Sequence, residues 1–227
     1  MLFENAKLGD LEQVMNKAKD DLSIEQVQEM MLLVADRIIA AEDLLTDADR
    51  NLGDGDHGLG MTRGLTAVKE KLTGAEFPSI EKVLTSAGMA MISAMGGASG
   101  AIFGTVFRSG GKGIAGAEKF GALELAGFLK AAVDGVMERG GAKPGDKTMV
   151  DALYPAAEKA AEVTELSLVE AADAVAGAAE AGREASKEMI ATMGRAKTLG
   201  ERSLGHPDAG ACSISIILRG MHAYIAS

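Results

Sequence analysis

The chain has 227 residues, of which 47% are apolar, 4% are aromatic and none is tryptophan. A core of that composition has to be built from Ala, Leu, Ile, Val and Met, whose small side chains suit closely spaced helices. A formal net charge of −10 excludes a general nucleic-acid binder, which needs basic stripes to displace counterions, and disfavours anionic membrane surfaces.

Cys212 is the lone cysteine, so no intrachain disulfide framework forms and a reducing compartment fits best. The opening MLFENAKLGD lacks the basic-then-apolar pattern of a signal peptide. No uncharged apolar run approaches the length that spans a bilayer. The expectation is a soluble cytoplasmic chain, one domain over 1–227 with residues 1–22 as an N-terminal extension.

Helical periodicity starts in SIEQVQEMMLLVADRIIAAEDLL, where Val27, Met31, Val34, Ile38 and Leu45 keep one face. Ser23 and Gln26 open it with a capping-box pattern. A second helix is expected from His57 to Leu72 and a third from Ser79 to about Met95. ASGAIFGTVF begins a fourth, frayed by RSGGKGIAG. Two more follow at about 121–139 and 148–163, the latter with Pro155 as a potential kink. Ser167 and Glu170 cap an Ala-rich helix that is expected to reach about Met193. DAGACSISIILRGMHAYIA reads as the last helix, although SISIIL alone has strand propensity. With no internal repeat and no long linker, the fold class is all-α, an antiparallel up-and-down bundle.

Glycines gather between these helices as LGDGDHGLG, MGGASG, RGGAKPGDKT and LGERSLGHPDAG. Connections at alternate ends of an up-and-down bundle share a rim. Glycine there permits close backbone approach to a ligand, and helix N-termini offer unpaired N–H groups that suit phosphate. The first of these loops crowds Asp49, Asp54 and Asp56 beside His57. Two unit charges about 4 Å apart repel by roughly 4 kcal/mol at an effective dielectric near 20, so carboxylates folded inward require a cation. Their hard oxygens suit Mg²⁺ or Ca²⁺; the alternative is a solvated Asp-Gly turn. An EF-hand starting at Asp47 fails, because Leu52 takes the glycine position and Gly58 the bidentate Glu position. RGGAKPGDKT is not a Walker A loop, since Asp146 precedes Lys147 and no strand leads into it. His222 and Cys212 read as core or surface residues on the last helix.

In order and together, LGDGDHGLGMTRG, GGASGAIFGT, PGDKTMVDAL and GRAKTLGERSLGHPDAGA resemble the dihydroxyacetone kinase L-subunit family, the DAK2 nucleotide-binding domain. The resemblance runs from about residue 25 to the end. It implies an eight-helix antiparallel barrel holding ADP or ATP and two Mg²⁺ ions at one rim. On the family's pattern Asp49, Asp54 and Asp56 are the metal ligands. His57, Gly58, Leu59 and Gly60 lie against the nucleotide, and Ala98 and Ser99 contact phosphate. Gly140 and Met149 flank the adenine, and Arg195 with Asp208, Ala209 and Gly210 closes over the nucleotide. Two positions depart from the pattern: Gly60 stands where relatives often have Asn, and Ala209 where they have Pro. The tract RSGGKGIAGAEKFG at 108–121 has no counterpart in it.

The resemblance also implies partners. A separate K subunit holds the ketose covalently through a histidine, as a hemiaminal, and this chain delivers the phosphoryl group. In one branch bound ADP is a coenzyme recharged by an M-type phosphoryl carrier of the phosphotransferase system, and this is the primary expectation. In the other branch ATP exchanges as a substrate. Kinase activity on another ketose such as erythrulose, or nucleotide sensing on a transcription regulator, are the alternatives; a homodimer is left open.

Overall fold

The computed structural model describes residues 19–227, and these form nine α-helices and no strand longer than an isolated bridge. They are α1 (Ile24–Ala40), α2 (Glu42–Arg50), α3 (His57–Leu72), α4 (Ile80–Met95), α5 (Gly97–Gly113), α6 (Ala122–Gly140), α7 (Val150–Glu162), α8 (Leu168–Ala185) and α9 (Ala209–Ile225). Of the expected extension over 1–22, residues 1–18 lie outside the described part.

Successive helices from α3 to α9 pack on one another, and α1 closes the ring by packing on both α9 and α3. The result is the expected eight-helix up-and-down barrel, with short α2 set across its end against α3 and α9. The first expected helix divides at Ala41, which caps both α1 and α2 and donates its N–H to Ile38 O at 3.0 Å. That break frees α2 to turn across the rim.

Local chemistry accounts for most helix starts. Ser23 Oγ accepts from Gln26 N while Ser23 N donates to Gln26 Oε1, completing the anticipated capping box. Ser167 and Glu170 do the same for α8. Val27, Met31, Val34, Ile38 and Leu45 are all fully buried. The few aromatic residues concentrate in one place, with Phe128 packed against Phe107 and Phe120 at centroid distances of 6.3 and 6.5 Å.

Two of the expectations for individual helices need correction. α5 is not frayed by RSGGKG but runs unbroken to Gly113. The glycines there serve contact, since a Cβ on Gly110 would lie 2.5 Å from the Phe128 ring. α8 stops at Ala185, well short of Met193, and the Ser186 carbonyl that follows accepts from Lys147 Nζ instead of from a further helical turn. The helix expected across Pro155 is observed: α7 runs from Val150 to Glu162, with the Asp151 carbonyl lacking the N–H that proline cannot supply. SISIIL is helical inside α9, where Ser213, Ile214, Ser215 and Ile217 are buried. The 114–121 part of the unexplained tract seals the far end of the barrel. Leu22 and Phe120 exchange backbone hydrogen bonds at 2.9 Å, and Lys119 pairs with Asp21.

Candidate functional site

The α2–α3 turn, the Gly96 link between α4 and α5, the α6–α7 loop and the segment 186–208 all fall at one rim. There they surround a cleft of about 780 Å³. Asp49, Asp54, Asp56, His57, Gly60, Ala98, Ser99, Gly140, Met149, Arg195, Asp208, Ala209 and Gly210 all line it. Two of the residues singled out in the sequence do not. Gly58 is buried against α2, and the Leu59 side chain is 52% exposed on the outside of α3.

Asp49 comes from the last turn of α2, and Asp54 and Asp56 from the turn that follows. Carboxylate oxygens of the three lie within 4.8 Å of one another. Asp49 Oδ2 accepts the His57 N–H at 3.3 Å, so it caps the start of α3 in place of Asp56, whose side chain makes no cap bond. Among the described residues, the cation paired with this cluster is Arg195, whose guanidinium bonds Asp54 and stands 3.9 Å from Asp56.

His57 is half-buried, with Nε2 2.8 Å from Ser213 Oγ and its ring 5.6 Å from Phe103. Burial lowers its pKa, opposed by the nearby Asp49 carboxylate and a hydrogen bond to the Ala209 backbone. The ring is therefore neutral at pH 7. α5 begins after Gly96, held at φ 69°, with no side chain capping its first N–H groups. Ala98 and Ser99, in that uncapped first turn, line the cleft, where unpaired helix-start N–H groups suit an anion. Across from them Asp208 caps α9, its Oδ2 accepting from Ala211 N at 2.8 Å. Burial raises the Asp208 pKa to about 7, aided by Asp151 and opposed by its backbone hydrogen bonds and by Lys147.

Sequence reasoning missed four polar residues of the cleft: Arg63, Arg139, Lys147 and Thr148. Arg63 lies three residues after Gly60 on α3, and that helical spacing was a usable signal. Arg139 directly precedes Gly140 at the end of α6. Lys147 stands in the PGDKTMVDAL segment, where no Walker loop forms. It is 2% exposed, and its ammonium donates to Ser186 O and His206 O, each at 2.6 Å.

Fold and site together define an all-helical barrel with a polar cleft in one rim, acidic at one end and uncapped N–H groups at the other. Residues 51–223 match the model of the DAK2 domain, and the chain belongs to that family. It is 38% identical over 200 residues to the ADP-binding subunit DhaL of a PEP-dependent dihydroxyacetone kinase from Escherichia coli K12, covering 87% of this chain and 95% of that one. The corresponding subunit of kinase 1 from Listeria innocua is 36% identical, over 82% of this chain and 89% of its own length. An L-erythrulose kinase from Pectobacterium atrosepticum is 33% identical across 100% of this chain, which spans 39% of that protein. Among solved structures, the dihydroxyacetone kinase from C. freundii in complex with AMP-PNP and Mg²⁺ superposes with a TM-score of 0.66 at 24% identity. That match covers 87% of this chain and 33% of that one. Among the described residues, no helix is long and apolar enough to cross a membrane.

Proposed function

We propose that this chain is the nucleotide-binding subunit of a dihydroxyacetone kinase, transferring a phosphoryl group from a bound nucleotide to dihydroxyacetone carried on a separate K-type subunit. The observation that carries the reading is the convergence of an acidic cluster and uncapped helix starts on one cleft. The DhaL subunits it resembles are named as ADP-binding.

Three carboxylates within 4.8 Å form a hard-oxygen donor set with a net deficit of positive charge, and that fits Mg²⁺. Asp49, Asp54 and Asp56 would hold two such ions, which when bound neutralise phosphate oxygens and fix them in line. The residues of the chain have distinct tasks. Asp49 is aimed by the His57 N–H. His57, held neutral between Ser213 and Phe103, presents an apolar and hydrogen-bonding face without adding charge. The Ala98 and Ser99 amides offset phosphate charge through the helix terminus. Arg195 stands where it can leave its aspartates for the transferring group, a move that a divalent cation in the cluster favours by replacing it. Met149 and Gly140 supply the apolar slot for the base.

Transfer needs no covalent help from this chain, because phosphoryl transfer rests on positioning and charge neutralisation. The same chain serves either donor branch; the primary reading is ADP as resident coenzyme, recharged by an M-type carrier. The test is to purify the chain, denature it and quantify released nucleotide, then supply K and M subunits with dihydroxyacetone. Stoichiometric ADP and transfer dependent on the carrier are expected. Absence of bound nucleotide together with failure to bind Mg-ADP or Mg-ATP refutes the assignment. The similarity to an L-erythrulose kinase favours a second reading, the same chemistry on erythrulose, which swapping the ketose and K subunit in that assay separates.

A further inference from the structure

Residues 186–208 cross the rim as a strap that carries Arg195, with only short 3-10 turns of its own. Its two ends are drawn together by Gly205 N donating to Lys187 O at 2.8 Å. Nothing in that closure fixes the strap to the barrel. Apart from the Arg195 pairing with Asp54 and Asp56, the fastening comes from a two-residue stretch of the α6–α7 loop. Lys147 reaches both ends of the strap, donating to Ser186 O and to His206 O. Asp146 holds its middle, with its carbonyl accepting Thr192 N at 3.2 Å and its carboxylate accepting Thr192 Oγ1 at 2.8 Å. The backbone is bent to make this possible: Lys147 has φ 59°, and it is the one non-glycine residue with positive φ among those described. A buried ammonium bonded to main-chain carbonyls is an exacting arrangement, since either partner left alone is a desolvated polar group. Burial lowers the Lys147 pKa, with Asp208, Asp151 and Glu188 opposing.

We propose that Asp146 and Lys147 form a clasp that positions the strap, so that Lys147 is a positioning residue for nucleotide retention acting through Arg195. The second clause rests on the nucleotide reading above; the clasp itself does not. Two measurements on the full chain test it. Hydrogen–deuterium exchange over 187–205 is followed without nucleotide, and the dissociation rate of a fluorescent ADP is followed with Mg²⁺.

In Lys147→Met, strap exchange and ADP dissociation are each expected to accelerate at least about tenfold, the equivalent of one lost charge-assisted hydrogen bond. Far-UV circular dichroism is expected to stay native. Asp146→Ala, at a half-buried position, is expected to move both readouts in the same direction and carries the test if Lys147→Met does not fold. In an Arg195→Ala background, Lys147→Met is expected to add nothing to the dissociation rate. Unchanged strap exchange overturns the clasp. Faster exchange with unchanged dissociation, or full additivity with Arg195→Ala, overturns the positioning role. Wild-type protein that binds no fluorescent ADP defeats the nucleotide reading, while exchange still decides the clasp.

Discussion

Gly58 offers the sharpest test of how the fold sets the metal cluster. It is the second residue of α3 and packs directly against α2. A Cβ there would sit 2.2 Å from Glu42 O, 2.2 Å from Thr46 Oγ1 and 2.9 Å from Thr46 N. Ordinary contact begins near 3.4 Å, so α2 has to retreat by about 1.2 Å, and the obstructing carbonyl cannot rotate away as a side chain would. Overpacking of this kind costs about 1–3 kcal/mol, and a backbone obstacle places Gly58→Ala toward the upper end. The helix propensity regained, roughly 1 kcal/mol, is the smaller term. The displaced helix also carries Asp49, while Asp54 and Asp56 stay with the turn. Functional groups have to be held within about 0.5 Å, so a shift of that size disperses the cluster. The expected outcome is a net loss of stability in urea denaturation and at least a tenfold loss of Mg-dependent ADP affinity by calorimetry. Gly60→Ala is the stability control, because its Cβ would meet only Met95 Cε at 4.0 Å, and it is expected to melt no lower than wild type. If Gly58→Ala is as stable as Gly60→Ala and binds Mg-ADP normally, the close helix contact does not set the cluster.

Asp54→Asn is expected to reduce Mg-dependent nucleotide binding sharply while helical content stays native; equal affinity with and without Mg²⁺ in both proteins would defeat the metal assignment. Asp208 has a folded pKa raised to about 7 from 3.8, so folding favours its protonated form and this contribution is lost as pH rises from about 4 through 7. Asp208→Asn keeps an effective N-cap and is expected to flatten that slope, gaining on wild type between pH 5 and pH 8 in urea titrations; parallel curves would contradict it. Phe120→Ala removes a fully buried ring that packs on Phe128 beside the Leu22 bridge, and is expected to cost about 3–5 kcal/mol without altering Mg-ADP affinity in the residual folded fraction.

Much of this molecule is determined locally. Capping boxes at Ser23 and Ser167 and the buried stripe of α1 need only near neighbours, so they are legible one segment at a time. The spacing of Asp49, Asp54 and Asp56 is equally local, and so is the lack of any side-chain cap ahead of Ala98. Tertiary structure decided what no segment contains. RSGGKG remains helical because Gly110 lets Phe128 approach, a contact between α5 and α6. SISIIL, read as part of the last helix despite its local strand propensity, is buried there between α8 and α1. α8 ends at Ala185 because Ser186 belongs to a strap fastened by Lys147, thirty-nine positions away in the chain. Gly58, placed beside the nucleotide by the family resemblance, is in the fold the point where α2 meets α3. The carboxylates themselves were plain; the partners that aim them, a backbone N–H at His57 and a guanidinium from Arg195, are fixed only when the barrel closes and brings alternate connections to one rim.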